Sequence, residues 1–184
     1  MKLAILFPGI GYHCDKPLLY YAKKLAAGYG YTILEVAYGE LPKRVKGDPE
    51  KMAACFRLGL AAAEAQLAGI DWAACEDVLF IGKSIGTAVA AGFAAKHIPG
   101  ARSIWYTPLA ETFPLIAGEG IVFHGTRDPW AETAAVLRGC EDKGIPCHLT
   151  EDANHSLETG DVQTDLANLR LVMAQTEAYI ATRR

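Results

Sequence analysis

The chain has 184 residues, 51% of them hydrophobic, and a formal net charge of −3 with no run of one sign. That supports one globular domain over residues 1–184, and it argues against nucleic acid or a membrane surface as a partner. No apolar stretch is long enough to span a bilayer, and the N-terminal apolar run is too short for a signal peptide. The five cysteines lack Cys-x-x-Cys spacing, so free thiols in a cytoplasmic protein are expected, with no zinc site or disulfide framework.

In chain order, Lys2 to Phe7 reads as a first strand, ended by Pro8-Gly9-Ile10-Gly11-Tyr12. Asp15 is the expected N-cap of a helix reaching about Ala27, which Gly28 and Gly30 stop. Thr32 to Ala37 is a second strand, and a loop with Pro42 and a basic cluster follows. Asp48-Pro49 then caps a long helix ending near Ala68. Val78 to Ile81 is a third strand and Ala88 to Lys96 a helix; Arg102 to Tyr106 is a fourth strand. A loop from Thr107 to Glu119 leads to a fifth strand, Gly120 to His124, and then to a helix from Trp130 to Gly139. Cys147 to Thr150 is a sixth strand, and Asp161 to Thr182 a closing helix. Strands with continuous apolar runs, alternating with helices, predict an α/β fold: a three-layer α/β/α arrangement around a mostly parallel sheet of about six strands, without a cap domain.

Between the third strand and its helix stands Gly82-Lys83-Ser84-Ile85-Gly86. Gly-x-Ser-x-Gly between a buried strand and a helix is a nucleophile elbow, a sharp turn that exposes the serine hydroxyl above the sheet. Only three serines occur in the chain, which lowers the odds of a chance match. The segment also ends like a phosphate-binding P-loop, but that motif needs a glycine where Asp77 stands.

A serine hydroxyl needs a base, and the base needs an orienting carboxylate. Active-site residues of parallel sheets gather at the carboxyl ends of the strands. Asp128 follows strand five and His155 follows strand six. Taken singly, each has an ordinary role, helix capping for Asp128 and solvent exposure for His155. Together with Ser84 they form the order Ser, Asp, His at successive strand ends. His97, His148 and His124 fit the base less well, and Asp152 and Glu151 are rival acids. Backbone N–H groups of Ile85 and of the Gly9-Tyr12 loop, with Ile10 preferred over Gly11 or Tyr12, are the expected oxyanion donors. Gly11, Tyr12, Lys83, Trp105, Tyr106 and Trp130 are candidate pocket residues, Lys83 as a possible guide for an anionic substrate. Cys14 is a possible redox-sensitive thiol, though a small buried residue is the stronger reading.

Through the elbow, the His124-Gly125-Thr126-Arg127-Asp128 turn and the Asn154-His155-Ser156-Leu157 loop, the chain resembles small α/β-hydrolases over nearly its full length. The last two motifs are most similar to the dienelactone-hydrolase-like branch. The resemblance implies a sheet whose first strand lies between the second and third, and a Ser84–His155–Asp128 triad. It departs from the pattern in three ways: a trimmed sheet, serine where dienelactone hydrolase has cysteine, and Pro-Gly-Ile-Gly in place of His-Gly-x-Gly. The expected activity is hydrolysis of a small-molecule carboxylic ester or thioester through an acyl-enzyme, with no metal or organic cofactor implied. A non-catalytic binding module on the same fold, or an acyltransferase using the same triad, are the alternatives.

Overall fold

The computed structural model describes residues 1–182. Six parallel strands form one sheet: β1 (Lys2–Phe7), β2 (Tyr31–Glu35), β3 (Asp77–Lys83), β4 (Arg102–Tyr106), β5 (Gly120–Gly125) and β6 (Cys147–Thr150). Their spatial order is β2-β1-β3-β4-β5-β6, with the first strand between the second and third. The strands alternate with α1 (Pro17–Gly28), α2 (Pro49–Leu67), α3 (Ile85–His97), α4 (Thr133–Lys143) and α5 (Val162–Ala181). All seven residues of β3 are buried, as a central strand covered on both faces requires.

Two apolar cores lie on opposite faces of the sheet. Leu18, Leu19, Ala22 and Ala26 of α1 meet Val172 and Ile180 of α5 on one face. Val89, Ala90 and Phe93 of α3 meet Ala63 and Leu67 of α2 on the other. Leu166 of α5 is 56% exposed. At the end of the sheet away from the elbow, Arg102 pairs with Asp77 at 3.1 Å, and Tyr31 hydroxyl also donates to Asp77. No described helix is long and apolar enough to cross a membrane.

Three helix starts differ from expectation, α3 by beginning at Ile85 directly after Ser84 rather than at Ala88. The cap of α1 is Lys16, with no side-chain cap bond, because Asp15 is instead drawn to Lys23 at 2.9 Å. Helix α4 begins at Thr133, three residues late, because Asp128 accepts the Trp130 N–H at 2.8 Å and holds that segment in a turn. It also runs past Gly139, where the face of the helix lies so close to the Phe113 ring that a Cβ would sit 2.5 Å from it. Gly144, at φ +64°, ends the helix. The cap of α2 is as expected, with Asp48 accepting from Lys51 N–H. The long connection after β4 contains a 3₁₀ segment, Ala110–Leu115.

Candidate active site

Ser84 sits between β3 and α3 at φ 56° and ψ −126°, a strained conformation for a residue with a Cβ. Close packing enforces it. A Cβ on Gly86 would lie 2.1 Å from Phe7 O, and one on Gly82 2.8 Å from Thr87 Cα, so only glycine lets strand and helix meet here. The Ser84 N–H donates to Tyr106 O at 3.0 Å, and Thr87 Oγ1 donates to Ser84 O at 2.6 Å. The turn is therefore tied down on both sides of the nucleophile.

His155 brings Nε2 to 2.7 Å from Ser84 Oγ and Nδ1 to 2.7 Å from Asp128 Oδ2. The carboxylate of Asp128 is fully buried, and its other oxygen accepts the Trp130 N–H. The ordinary capping role and the relay contact thus coexist, one on each oxygen. The loop bearing His155 is locked onto β5. Arg127 N–H donates to Ala153 O at 2.9 Å, Thr107 Oγ1 donates to His155 O at 3.1 Å, and Asn154 Oδ1 accepts from Ser156 N–H. Burial lowers the pKa of His155 against the hydrogen bond to Asp128, and the nearby Lys83 ammonium lowers it further. The imidazole is therefore neutral at neutral pH and free to accept a proton.

The N–H of Ile85, first residue of α3, has no intrahelical acceptor and lies at the positive end of the helix. In the Pro8–Tyr12 loop, Gly9 and Tyr12 exchange hydrogen bonds at 3.0 and 3.2 Å, which commits the Tyr12 N–H and removes it as an oxyanion donor. Ile10 and Gly11 remain. The loop lies against the nucleophile, since a Cβ on Gly9 would be 3.1 Å from Ser84 Cβ.

The other sequence candidates separate. Trp130 borders the site, its ring 5.6 Å from that of His155. Gly11 and Tyr12 line a cleft of about 550 Å³ that runs beside Ile10 to Glu35, Tyr38 and Lys43. Ile85 faces an apolar hollow of about 350 Å³ walled by Met52, Phe56, Ala88 and Leu115. Trp105 and Tyr106 are core residues, 2% and 0% exposed, because helices cover both faces of β4. Lys83 is also buried, 1% exposed, with its ammonium 4.8 Å from the Tyr12 ring centroid, so it cannot meet a substrate in solution. Burial pushes Cys14 up to about 12, with Glu35 adding to the effect, and this thiol is a small buried residue. Of the rival groups, His97 pairs with Glu64, His148 stacks on Phe123, His124 lies buried against Thr133, and Asp152 pairs with Arg127. Glu151 accepts from Thr126.

Sequence reasoning missed Thr107, Val45 and Lys46. Thr107 has φ 46° and holds the histidine loop. Val45 packs with Ile85, and Lys46 Nζ lies 5.7 Å from the Trp130 ring centroid. Among the described residues no group of three or more potential ligands could hold a metal ion.

No family model matches the sequence, and no curated protein matches it. Solved structures match its fold. A serine hydrolase without a lid from Xanthomonas campestris is 15% identical, with a TM-score of 0.64 over 100% of this chain and 84% of that one. Est1E from Butyrivibrio proteoclasticus, with ferulic acid bound, is 12% identical, with a TM-score of 0.71 over 98% and 88%. An esterase of Pyrococcus furiosus is 14% identical, with a TM-score of 0.67 over 97% and 82%. The chain therefore has the α/β-hydrolase fold, in a minimal six-stranded form.

Proposed function

We propose that this protein is a serine hydrolase of the dienelactone-hydrolase-like kind, cleaving a small carboxylic ester or thioester through an acyl-enzyme. One observation carries the reading: the unbroken relay from Ser84 Oγ through His155 to a buried Asp128, at 2.7 Å for each contact. The similarity in fold to an esterase and to a protein with ferulic acid bound supports an acyl substrate.

Ser84 Oγ attacks the carbonyl carbon while His155 Nε2 takes its proton. Asp128 holds the Nδ1–H, which fixes the tautomer and stabilises the imidazolium that forms. The carbonyl oxygen becomes an oxyanion facing the N–H groups of Ile85 and Ile10, each worth about 3 kcal/mol in the transition state. His155 returns the proton to the departing alkoxide or thiolate, leaving an ester on Ser84. A water then repeats the sequence, giving its proton to His155 and its oxygen to the acyl carbon, and Ser84 is released with the acid. Alkoxides and thiolates leave more readily than amines, which favours esters and thioesters over amides. All five cysteines are unpaired, which supports a reducing, cytoplasmic setting.

The test is labelling with a neutral alkyl fluorophosphonate, in which Ser84 Oγ attacks phosphorus, fluoride leaves and His155 takes the proton. A single adduct on Ser84, lost in Ser84→Ala and His155→Ala, is the expected result. A folded wild type that stays unlabelled overturns the proposal and leaves the binding-module reading in its place.

A further inference from the structure

The carboxylate of Asp128 has a neighbour that the relay does not use. His124 stands near the end of β5, four residues before Asp128, and is fully buried. Its Nδ1 lies 3.9 Å from Asp128 Oδ2, the same oxygen that meets His155 Nδ1 at 2.7 Å. Among the described residues this nitrogen has no hydrogen-bond partner, and it is out of contact with solvent. A buried polar atom left so is costly, and an apolar side chain would serve β5 better if packing were the position's whole task.

The other ring nitrogen decides which tautomer stands there. His124 Nε2 is 3.1 Å from Oγ1 of Thr133, the first residue of α4. With the Thr133 hydroxyl donating to Nε2, the ring proton sits on Nδ1 and points toward the carboxylate. With Nε2 donating instead, the hydroxyl is left with Thr126 O at 3.5 Å, and a lone pair on Nδ1 faces the charge of Asp128. The first arrangement has the shorter hydroxyl bond and replaces a repulsion with an attraction. At 3.9 Å the attraction is one of charge and dipole, too long for a hydrogen bond. Burial lowers the pKa of His124 against the pull of Asp128, so the ring is neutral at neutral pH. The other charges acting on His155 are Lys83 and Lys46, with Glu158 acting on Lys83 in turn. Arg127 pairs with Asp152, Glu151 accepts from Thr126, and Glu132 at the cap of α4 is exposed. His148 stacks on Phe123, whose side chain leaves β5 on the opposite face, and the thiols of Cys140 and Cys147 cluster with Val122 further down the strand.

We propose that His124 is a positioning residue for the catalytic acid, presenting an Nδ1–H to Asp128 Oδ2 and so sharing that oxygen with His155. The role rests on the serine-hydrolase reading and is exerted through Asp128. A second N–H draws on the carboxylate charge, so Asp128 attracts the proton of a His155 imidazolium less strongly. His155 then stays a neutral base to lower pH, while the carboxylate remains ionised and aimed at its Nδ1.

Two amides separate the tasks of the two ring nitrogens. The asparagine amide reaches the position of Nδ1, and the longer glutamine amide reaches that of Nε2. His124→Asn therefore keeps a donor toward Asp128, whereas His124→Gln keeps only the contact with Thr133. The readout is the pH at which labelling of Ser84 by the neutral alkyl fluorophosphonate is half its plateau. His124→Gln should raise that inflection by roughly half a pH unit or more, and His124→Asn should leave it at the wild-type value. Lys83 is present in all three proteins, so its own titration cancels from the comparison. A shift of equal size in both variants, or in neither, overturns the inference while leaving the hydrolase reading intact. If the variants do not fold, the proton is located directly in wild type, by long-range proton–nitrogen spectra of histidine-labelled protein assigned by replacing the other histidines in turn. His124 should carry its proton on Nδ1, and a proton on Nε2 overturns the inference as well. A wild type that the probe fails to label overturns the hydrolase reading itself, and the role of His124 with it.

Discussion

Replacing Lys83 with methionine keeps the length and bulk of a side chain buried beside the nucleophile and removes its charge. Lys83 is 1% exposed, and its ammonium lies over the Tyr12 ring. Burial lowers its pKa from 10.5 to about 7, with Asp128 opposing the fall. The unfolded chain therefore binds more protons than the folded one between about pH 7 and 10.5, so stability climbs with pH across that window. Below it the cost of the buried charge is present in full. At about 1.4 kcal/mol per pH unit, a fall from 10.5 to about 7 amounts to about 5 kcal/mol. Cation–π attraction to Tyr12 returns about 1–2 kcal/mol of that. The Lys83→Met variant should then be about 3 kcal/mol more stable than wild type near pH 6, and the gain should shrink below about 1 kcal/mol near pH 10. Urea unfolding of both proteins at several pH values, under reductant, measures the difference directly. A gain independent of pH, or a loss at every pH, refutes the reasoning, because the lysine would then not be held in a dry site.

Two further outcomes bear on the relay. Burial holds His155 below the ordinary histidine value of 6.5, and only the neutral imidazole accepts the serine proton, so labelling of Ser84 should rise with pH with its inflection below 6.5. Lys83→Met removes a neighbouring positive charge and should move that inflection upward; a wild-type inflection at or above about 7 contradicts the assignment. A Cβ on Gly125 would lie 2.4 Å from Ala153 O and 2.6 Å from Asn154 O, so Gly125→Ala should push the histidine loop off β5. Labelling should fall by about 10²-fold, the effect of misplacing a catalytic group by about 1 Å. Labelling at the wild-type rate in a folded Gly125→Ala protein would show that β5 does not hold the loop in place.

The central strands β1, β3, β4 and β5 were legible because each is buried on both faces and reads as a short apolar run between breakers. The predicted limits of β1, β4 and β6 coincide with those observed. The helix starts were less so, because tertiary contacts decide them. Asp15 has the chemistry of an N-cap, but the Lys23 ammonium competes for its carboxylate. Gly139 reads as a helix stop, yet the close approach of Phe113 makes glycine the residue the helix needs there. A local pattern contains neither competitor.

The same division runs through the site. Ser84, Asp128 and His155 were visible because each rests on a backbone device with a short signature: an elbow, a turn entering a helix, and a loop shaped by Asn154. Asp128 was ambiguous in sequence for a physical reason, since its two oxygens do both jobs proposed for it. The walls of the site have no such signature. Trp105 and Tyr106 stand at the carboxyl end of β4, but neighbours on consecutive strand positions point to opposite faces, and both faces are covered. Lys83 adjoins the nucleophile in sequence and is sealed beneath Tyr12, whereas Lys46 lies in another loop and reaches the rim of the site through Trp130. What joins Lys46 to the site is the packing of Val45 into the cluster that holds Ile85, a contact between distant segments. Until that contact is known, a valine among basic residues reads as one more solvated loop. The catalytic groups are therefore encoded locally and the walls of the site non-locally, which is why residues next to the serine misled.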